Sequence, residues 1–189
     1  MRYELSERAL HSEFMKEVEE RSGQNVSDCY QCGKCSGGCP VLPDLDLSPN
    51  RVIRMVQLGL EEDALDNESI WCCAACGTCN SRCPMELDIV RIMDTLRAMA
   101  VREGVKPPKT AGRVLTFYDS FLDSVREFGR LSEVALMGNY NINSGRLWTN
   151  MVKAPWFFLK GKVSLSPHTI SKLDRLRRVF DRIEEIEGT

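Results

Sequence analysis

Cys29-Tyr30-Gln31-Cys32-Gly33-Lys34-Cys35-Ser36-Gly37-Gly38-Cys39-Pro40 and, 44 positions further on, Cys73-Ala74-Ala75-Cys76-Gly77-Thr78-Cys79-Asn80-Ser81-Arg82-Cys83-Pro84 are two copies of one pattern, C-x2-C-x2-C-x3-C-P. They use eight of the nine cysteines, and none lies after Cys83. The chemistry of the chain therefore belongs to its first half. In register Cys73 matches Cys29, so Cys72 is spare; a small buried residue is the favoured reading for it.

This run is the one that holds [4Fe–4S] clusters in bacterial-type ferredoxins. Three cysteines at steps of three residues wrap a turn-rich loop around one side of a cube. The fourth, followed by proline, cannot easily fold back onto the same cube, and in two-cluster ferredoxins it ligates the other one. Applied here, Cys29, Cys32, Cys35 and Cys83 hold one cluster, and Cys73, Cys76, Cys79 and Cys39 hold the second. Gly33, Gly37, Gly38 and Gly77 fit, because glycine allows positive φ and close backbone approach. Pro40 and Pro84 donate no hydrogen bond and restrict the residues before them. Two other readings compete. Paired C-x2-C also builds zinc sites, but zinc takes four ligands and rarely uses a three-plus-one-plus-Pro run. A disulfide framework needs export to an oxidising compartment.

The rest of the first half reads as helices around these runs. Leu10, Phe14 and Val18 form a stripe in a helix over 5–21, ended by Gly23. Val41–Leu47 reads as an extended connector. Ser48-Pro49 supplies an N-cap and a first-position proline, with Val52, Ile53, Val56 and Leu60 as the apolar face and Gly59 as a stop. Glu61, Glu62, Asp63, Asp66 and Glu68 read as solvated, and Trp71 as core packing. Asp88 can cap a helix carrying Ile89, Ile92, Met93, Leu96 and Met99, stopped by Gly104 and Pro107-Pro108. No alternating strand pattern surrounds the cysteines, which excludes a βαββαβ ferredoxin. The fold class is mainly α: an α-helical ferredoxin domain over 1–106 and a helical C-terminal extension over 107–189 that docks on other subunits.

In that extension Val114, Leu115, Tyr118, Phe121, Leu122 and Val125 share a face of a helix over 110–128. Residues 131–137 give one or two turns, and 138–145 reads as loop by composition. Trp148, Met151, Val152, Trp156, Phe157 and Phe158 either fold onto the chain's own core or cover a partner. Ser166-Pro167 opens a last helix over 168–187, with Ile170, Leu173, Leu176, Val179, Phe180, Ile183 and Ile186 at near-heptad spacing.

A formal net charge of −2 and 43% apolar residues give no sign of a nucleic-acid binder. There is no signal-peptide core and no apolar run of 18 residues, so a soluble, cytoplasmic protein off the membrane is expected. No dinucleotide fingerprint or P-loop appears. His11 and His168 form no catalytic signature, and no substrate site is visible around Asp44, Asp46, Glu61 or Glu62.

The two cysteine runs, the spacer opened by Ser48-Pro49, Trp71-Cys72-Cys73, and the segments Gly129-Arg130, Lys153-Ala154-Pro155 and Lys160-Gly161-Lys162 resemble the C subunit of the soluble heterodisulfide reductases of methanogenic archaea. The wider helical two-cluster superfamily includes the iron–sulfur subunits of succinate dehydrogenase/fumarate reductase and of anaerobic glycerol-3-phosphate dehydrogenase; those often carry an extra plant-type ferredoxin domain. The resemblance implies a non-catalytic electron-transfer subunit of an oxidoreductase complex. Electrons would come from the flavin-bearing, bifurcating A subunit and go to the B subunit, which reduces the CoM-S-S-CoB disulfide. A hydrogenase or formate dehydrogenase would be associated. The catalytic subunit is marked by Cys-Cys-Gly and a distant C-x2-C. Here Cys72-Cys73 precedes Ala74 and no cysteine follows Cys83, so the disulfide site is not expected on this chain. Another flavin-linked oxidoreductase subunit, a free ferredoxin-like carrier and a zinc-bound interaction module are the competing functions. The crossed ligand set predicts that Cys83→Ser damages the cluster of the first run; an EPR spectrum of that variant with this cluster intact would refute the crossing.

Overall fold

The computed structural model describes residues 13–105, 107–145 and 169–187. Every regular element among them is helical. The chain divides into two compact units, Met1–Gly112 and Arg113–Thr189.

In the first unit α1 (Glu13–Ser22) buries Phe14 and Val18. Leu10, the start of the expected stripe, and His11 lie outside the described residues. A 3₁₀ turn, Val26–Asp28, leads into the first cysteine run, where α2 (Lys34–Gly37) is a single turn. The connector is not fully extended as expected, since Leu42–Asp44 forms a second 3₁₀ turn. Helix α3 (Pro49–Gln57) buries Val52, Ile53 and Val56. It ends before Leu60, which instead precedes the next element.

The acidic stretch keeps Glu61, Glu62 and Asp66 exposed, as expected, but also folds into two short helices, α4 (Glu61–Leu65) and α5 (Glu68–Cys72). Acidic first turns suit the positive end of a helix, and Ala64, Leu65, Ile70 and Trp71 anchor the pair in the core. Trp71 is thus a packing residue, as its position suggested. After the second run, with its own short helix α6 (Thr78–Arg82), comes α7 (Ile89–Arg102). Asp88 caps it as expected, accepting a 3.0 Å hydrogen bond from Arg91 N–H. Ile89, Ile92, Met93, Leu96, Met99 and Ala100 are buried along one face. Helices α1, α4 and α5 all pack on α7, and α1 also meets α3. Fully burying side chains of this kind contributes about 1.5–3 kcal/mol each before entropy is counted.

The second unit contains α8 (Lys109–Phe128, whose first residues belong to the first unit), α9 (Glu133–Asn143) and α10 (Leu173–Glu187). The segment 138–145, read as loop from its glycine and asparagines, is helical as far as Asn143. Intrinsic propensity is a weak prior, and Tyr140 holds this turn by packing edge-on against Phe117, with ring centroids 6.1 Å apart. Helix α10 docks on the end of α8. Arg177 donates to the terminal carbonyls of Arg126 and Glu127, and Arg126 pairs with Asp181 and Glu184. The aromatic stretch 148–158, Lys160–Lys162 and the Ser166-Pro167 start lie outside the described residues.

One carboxylate holds the connector to the second run. Asp46 accepts from the N–H groups of Leu47, Glu68 and Ser69 at 2.8, 3.0 and 2.9 Å, and from the Ser69 hydroxyl. It caps α5 from 22 residues away, beside Asn67, which caps it locally. Burial raises the Asp46 pKa, but these donors outweigh it and hold the carboxyl below its ordinary value. A carboxyl depressed on folding stabilises above its unfolded pKa, about 3.9, and loses that contribution as pH falls through the folded value. Asp46→Ala should cost about 1 kcal/mol of unfolding free energy at neutral pH. In denaturant titrations the gap to the parent should hold above about pH 4 and shrink below it; a gap unchanged by acid would contradict this cap.

Candidate iron–sulfur centre

Each cysteine run folds into the same local shape. The residue two places after the first cysteine has left-handed backbone, Gln31 at φ 62° and Ala75 at φ 50°. The glycine after the second cysteine does too: Gly33 at φ 75° and Gly77 at φ 73° are the N-caps of α2 and α6. Two left-handed positions turn the chain around a point, and one helical turn then presents the third cysteine. Of the four glycines the sequence offered here, Gly33 and Gly77 take this conformation and Gly37 and Gly38 do not; Gln31 and Ala75 were not anticipated, because non-glycine residues seldom take it.

The turns are bolted to the helices that follow. Ser36 and Asn80, each directly after a third cysteine, hold the second N–H of the next helix. Ser36 Oγ accepts from Asn50 N–H at 3.1 Å, and Asn80 Oδ1 accepts from Val90 N–H at 3.1 Å. Ser48 occupies the N-cap position of α3 as expected but makes no capping bond; its hydroxyl donates to Asn50 Oδ1 instead. Ser36 and Asn80 fall at the same place in the repeat, a signal present in the sequence that only the hydrogen bonds make readable.

Two cavities result. The first is lined by Cys29, Cys32, Cys35 and Cys83, with Gln31 and Asn50 among its walls. The second is lined by Cys73, Cys76, Cys79 and Cys39, with Val41, Leu45 and Met93 among its walls. Ile89 lines both and is itself buried, so the cavities are neighbours across one side chain. Each cavity thus gathers three thiols from one run and one from the other. Cys72 lines neither and is half-buried rather than buried; burial, then the carboxylates of Glu68, Asp46 and Asp44, push its thiol pKa up.

The donor set can be tested against a metal. Among the described residues no three Cys, His, Asp or Glu side chains form a single-ion site. Four thiols line each cavity, which is the donor set a [4Fe–4S] cluster takes. Burial pushes the Cys79 thiol up to about 11, aided by Cys73 and opposed by Asn80 N–H. Burial raises Cys29 and Cys35 as well, against hydrogen bonds from Gln31 N–H and from the Ser36 hydroxyl and N–H. Cys76 is exposed and goes the other way, lowered by the Thr78 hydroxyl and N–H. A coordinating thiol is deprotonated outright by its metal, so loading these sites releases protons.

Gly77→Val would force a β-branched residue into left-handed backbone at a cost of about 1–2 kcal/mol. It should lower iron retained per chain after anaerobic loading; full iron with parental stability would show that the turn tolerates a side chain.

Comparison with known proteins points the same way as this geometry. Residues 25–87 match the 4Fe-4S dicluster domain. The chain is 41% identical over 97 residues to the iron-sulfur C 2 subunit of the CoB--CoM heterodisulfide reductase of Methanocaldococcus jannaschii, covering 50% of this chain and 52% of the relative. It is 35% identical over 96 residues to the C subunit of the ferredoxin:CoB-CoM heterodisulfide reductase of Methanosarcina acetivorans, covering 51% and 38%. It is 28% identical over 99 residues to the C subunit of the H(2):CoB-CoM heterodisulfide,ferredoxin reductase of Methanothermobacter thermautotrophicus, covering 52% and 54%. The matched part spans about half the length of two of these relatives and 38% of the Methanosarcina acetivorans one. Residues 25–87 match the 4Fe-4S dicluster domain and are helical wherever they form regular elements, and the half of the chain that contains them is similar in sequence to the iron–sulfur C subunits of heterodisulfide reductases.

Proposed function

We propose that this chain is a non-catalytic electron-transfer subunit of a heterodisulfide reductase. It would take electrons from a flavin-bearing, bifurcating A subunit and deliver them to the B subunit that reduces the CoM-S-S-CoB disulfide. An associated hydrogenase or formate dehydrogenase would be the upstream source. Cys29, Cys32, Cys35 and Cys83 would hold one [4Fe–4S] cluster; Cys73, Cys76, Cys79 and Cys39 would hold the other. When bound, such clusters supply one-electron redox chemistry at potentials set by sulfur hydrogen bonds, charge and solvent exposure.

The observation that carries this reading is the pair of four-thiol cavities separated by Ile89. Two redox centres with one aliphatic side chain between them suit relay better than substrate chemistry. The names of the relatives supply the choice of partners. The extension over 107–189 would dock the chain in the complex; Leu122, Val179, Ile183 and Ile186 are apolar and exposed, as such a role needs. A cytoplasmic location belongs to the same proposal, since free thiols destined for metal require a reducing compartment. No helix of the described residues is long and apolar enough to cross a membrane.

Protein made and handled without oxygen should carry about eight irons and eight sulfides per chain. It should also co-purify with flavin-containing and heterodisulfide-reducing subunits when expressed beside them. Zinc alone would end the iron–sulfur reading; full iron in a chain that ignores both of those proteins would make it a free carrier.

A further inference from the structure

The two cavities are built from a repeat, so a residue that breaks the repeat at a sulfur can make the two sites unequal. Gln31 is such a residue. Its Nε2 donates to Cys29 Sγ at 3.5 Å, and its backbone N–H hydrogen-bonds the same sulfur. The side chain is held in place from two sides. Asn50 Nδ2 donates to Gln31 Oε1 at 3.4 Å, and Gln31 Nε2 reaches Gln57 Oε1 at 3.4 Å. Gln57 is fixed in turn by donating to the carbonyls of Val26 and Cys29 at 3.0 and 2.8 Å. The amide is therefore preorganised, and it cannot turn its N–H away without breaking this chain of polar groups.

The second run has no counterpart. Alanine stands at the equivalent position, Ala75, with the same left-handed backbone. The counterpart of Asn50 in the second helix is Val90, which occupies the matching place two residues after the cap. The brace and the donor are both missing there. Thr78 does reach Cys76 Sγ at 3.4 Å, but Cys76 is exposed to solvent, where water competes with the hydroxyl.

We propose that Gln31 is a positioning residue that raises the reduction potential of the cluster in the first cavity, through a side-chain amide N–H···S bond that has no counterpart in the second cavity. This rests on the assignment of both cavities to [4Fe–4S] clusters. One-electron reduction adds a negative charge that spreads onto the ligand sulfurs. A donor aimed at a sulfur stabilises the more negative state and so favours reduction. The first cluster then keeps an electron longer than the same loop with alanine would allow.

The test is an EPR-monitored redox titration of the anaerobically loaded full chain, its iron and sulfide measured first. In Gln31→Ala, which copies the second run, one midpoint should move to lower potential and the other should stay. Gln31→Glu keeps the side-chain length but replaces the NH2 donor by an acceptor; it should lower the same midpoint, and it guards against an Ala variant that does not load. Neither midpoint moving, or both moving together, would overturn the role of Gln31 with the clusters still present. Absence of iron from the parent chain would overturn the cluster assignment and this proposal together.

Discussion

The exchange of one cysteine between two loops is the constraint from which the first unit follows. Cys39 stands with the second run's thiols and Cys83 with the first's. Neither run can then complete its cavity alone, and α2 must face α6 so that each run can leave one cavity for the other. Both exits are built alike. Cys39 N–H bonds Ser36 O and Cys83 N–H bonds Asn80 O, each at 3.1 Å, so one helical turn sets the direction in which the fourth thiol departs. The proline that follows cannot donate a hydrogen bond and prevents that turn from growing into a longer helix.

The helices serve this arrangement more through their ends than through their length. The beginnings of α3 and α7 are tied to the cysteine turns by Ser36 and Asn80. The beginning of α5, which delivers Cys73, is tied to the connector by Asp46. Asp88 N–H in turn bonds Gln24, across 64 residues. A cap contributes about 1 kcal/mol, little beside the buried face of α7. Caps, however, fix where a helix starts, and the first residues of α3 and α7, Pro49 and Ile89, line a thiol cavity. Apolar burial makes the domain stable; polar end contacts set the positions of the sulfurs.

Much of this was legible in the sequence because the signals were periodic or local. The spacing of the cysteines, the stripe from Ile89 to Met99 and the Asp88 cap each need only neighbours along the chain. What escaped were contacts whose partners are far away. Asp46 gave no sign of its capping role, since that role depends on Ser69, 23 residues on. Glu61 and Glu62 are exposed, as they looked, but nothing nearby announces that Ala64 and Leu65 of the same short helix enter the core. Residues 138–143 looked like a loop, since the ring that meets Tyr140 belongs to another helix. Ser48 shows the same limit from the other side. Its position as cap was readable, but the capping oxygen comes from Ser36.

The repeat also explains why the halves cannot be identical. Gly38 and Arg82 occupy equivalent places, one residue before each fourth cysteine. The Arg82 side chain lies over Gly38 so closely that a Cβ there would sit 2.6 Å from Arg82 Cδ. Arginine at both places would force two guanidinium groups into one space, with like charges opposed. Glycine at both would remove the side chain that covers Gly38. One of each fills the space, and the pseudo-symmetry must break where the halves touch. Once it is broken at the contact, nothing obliges the cavity walls to match, and they do not: Asn50 faces the first cavity where Val90 lines the second. Duplication supplies two sites of one shape, and the meeting of the copies frees them to differ in polarity.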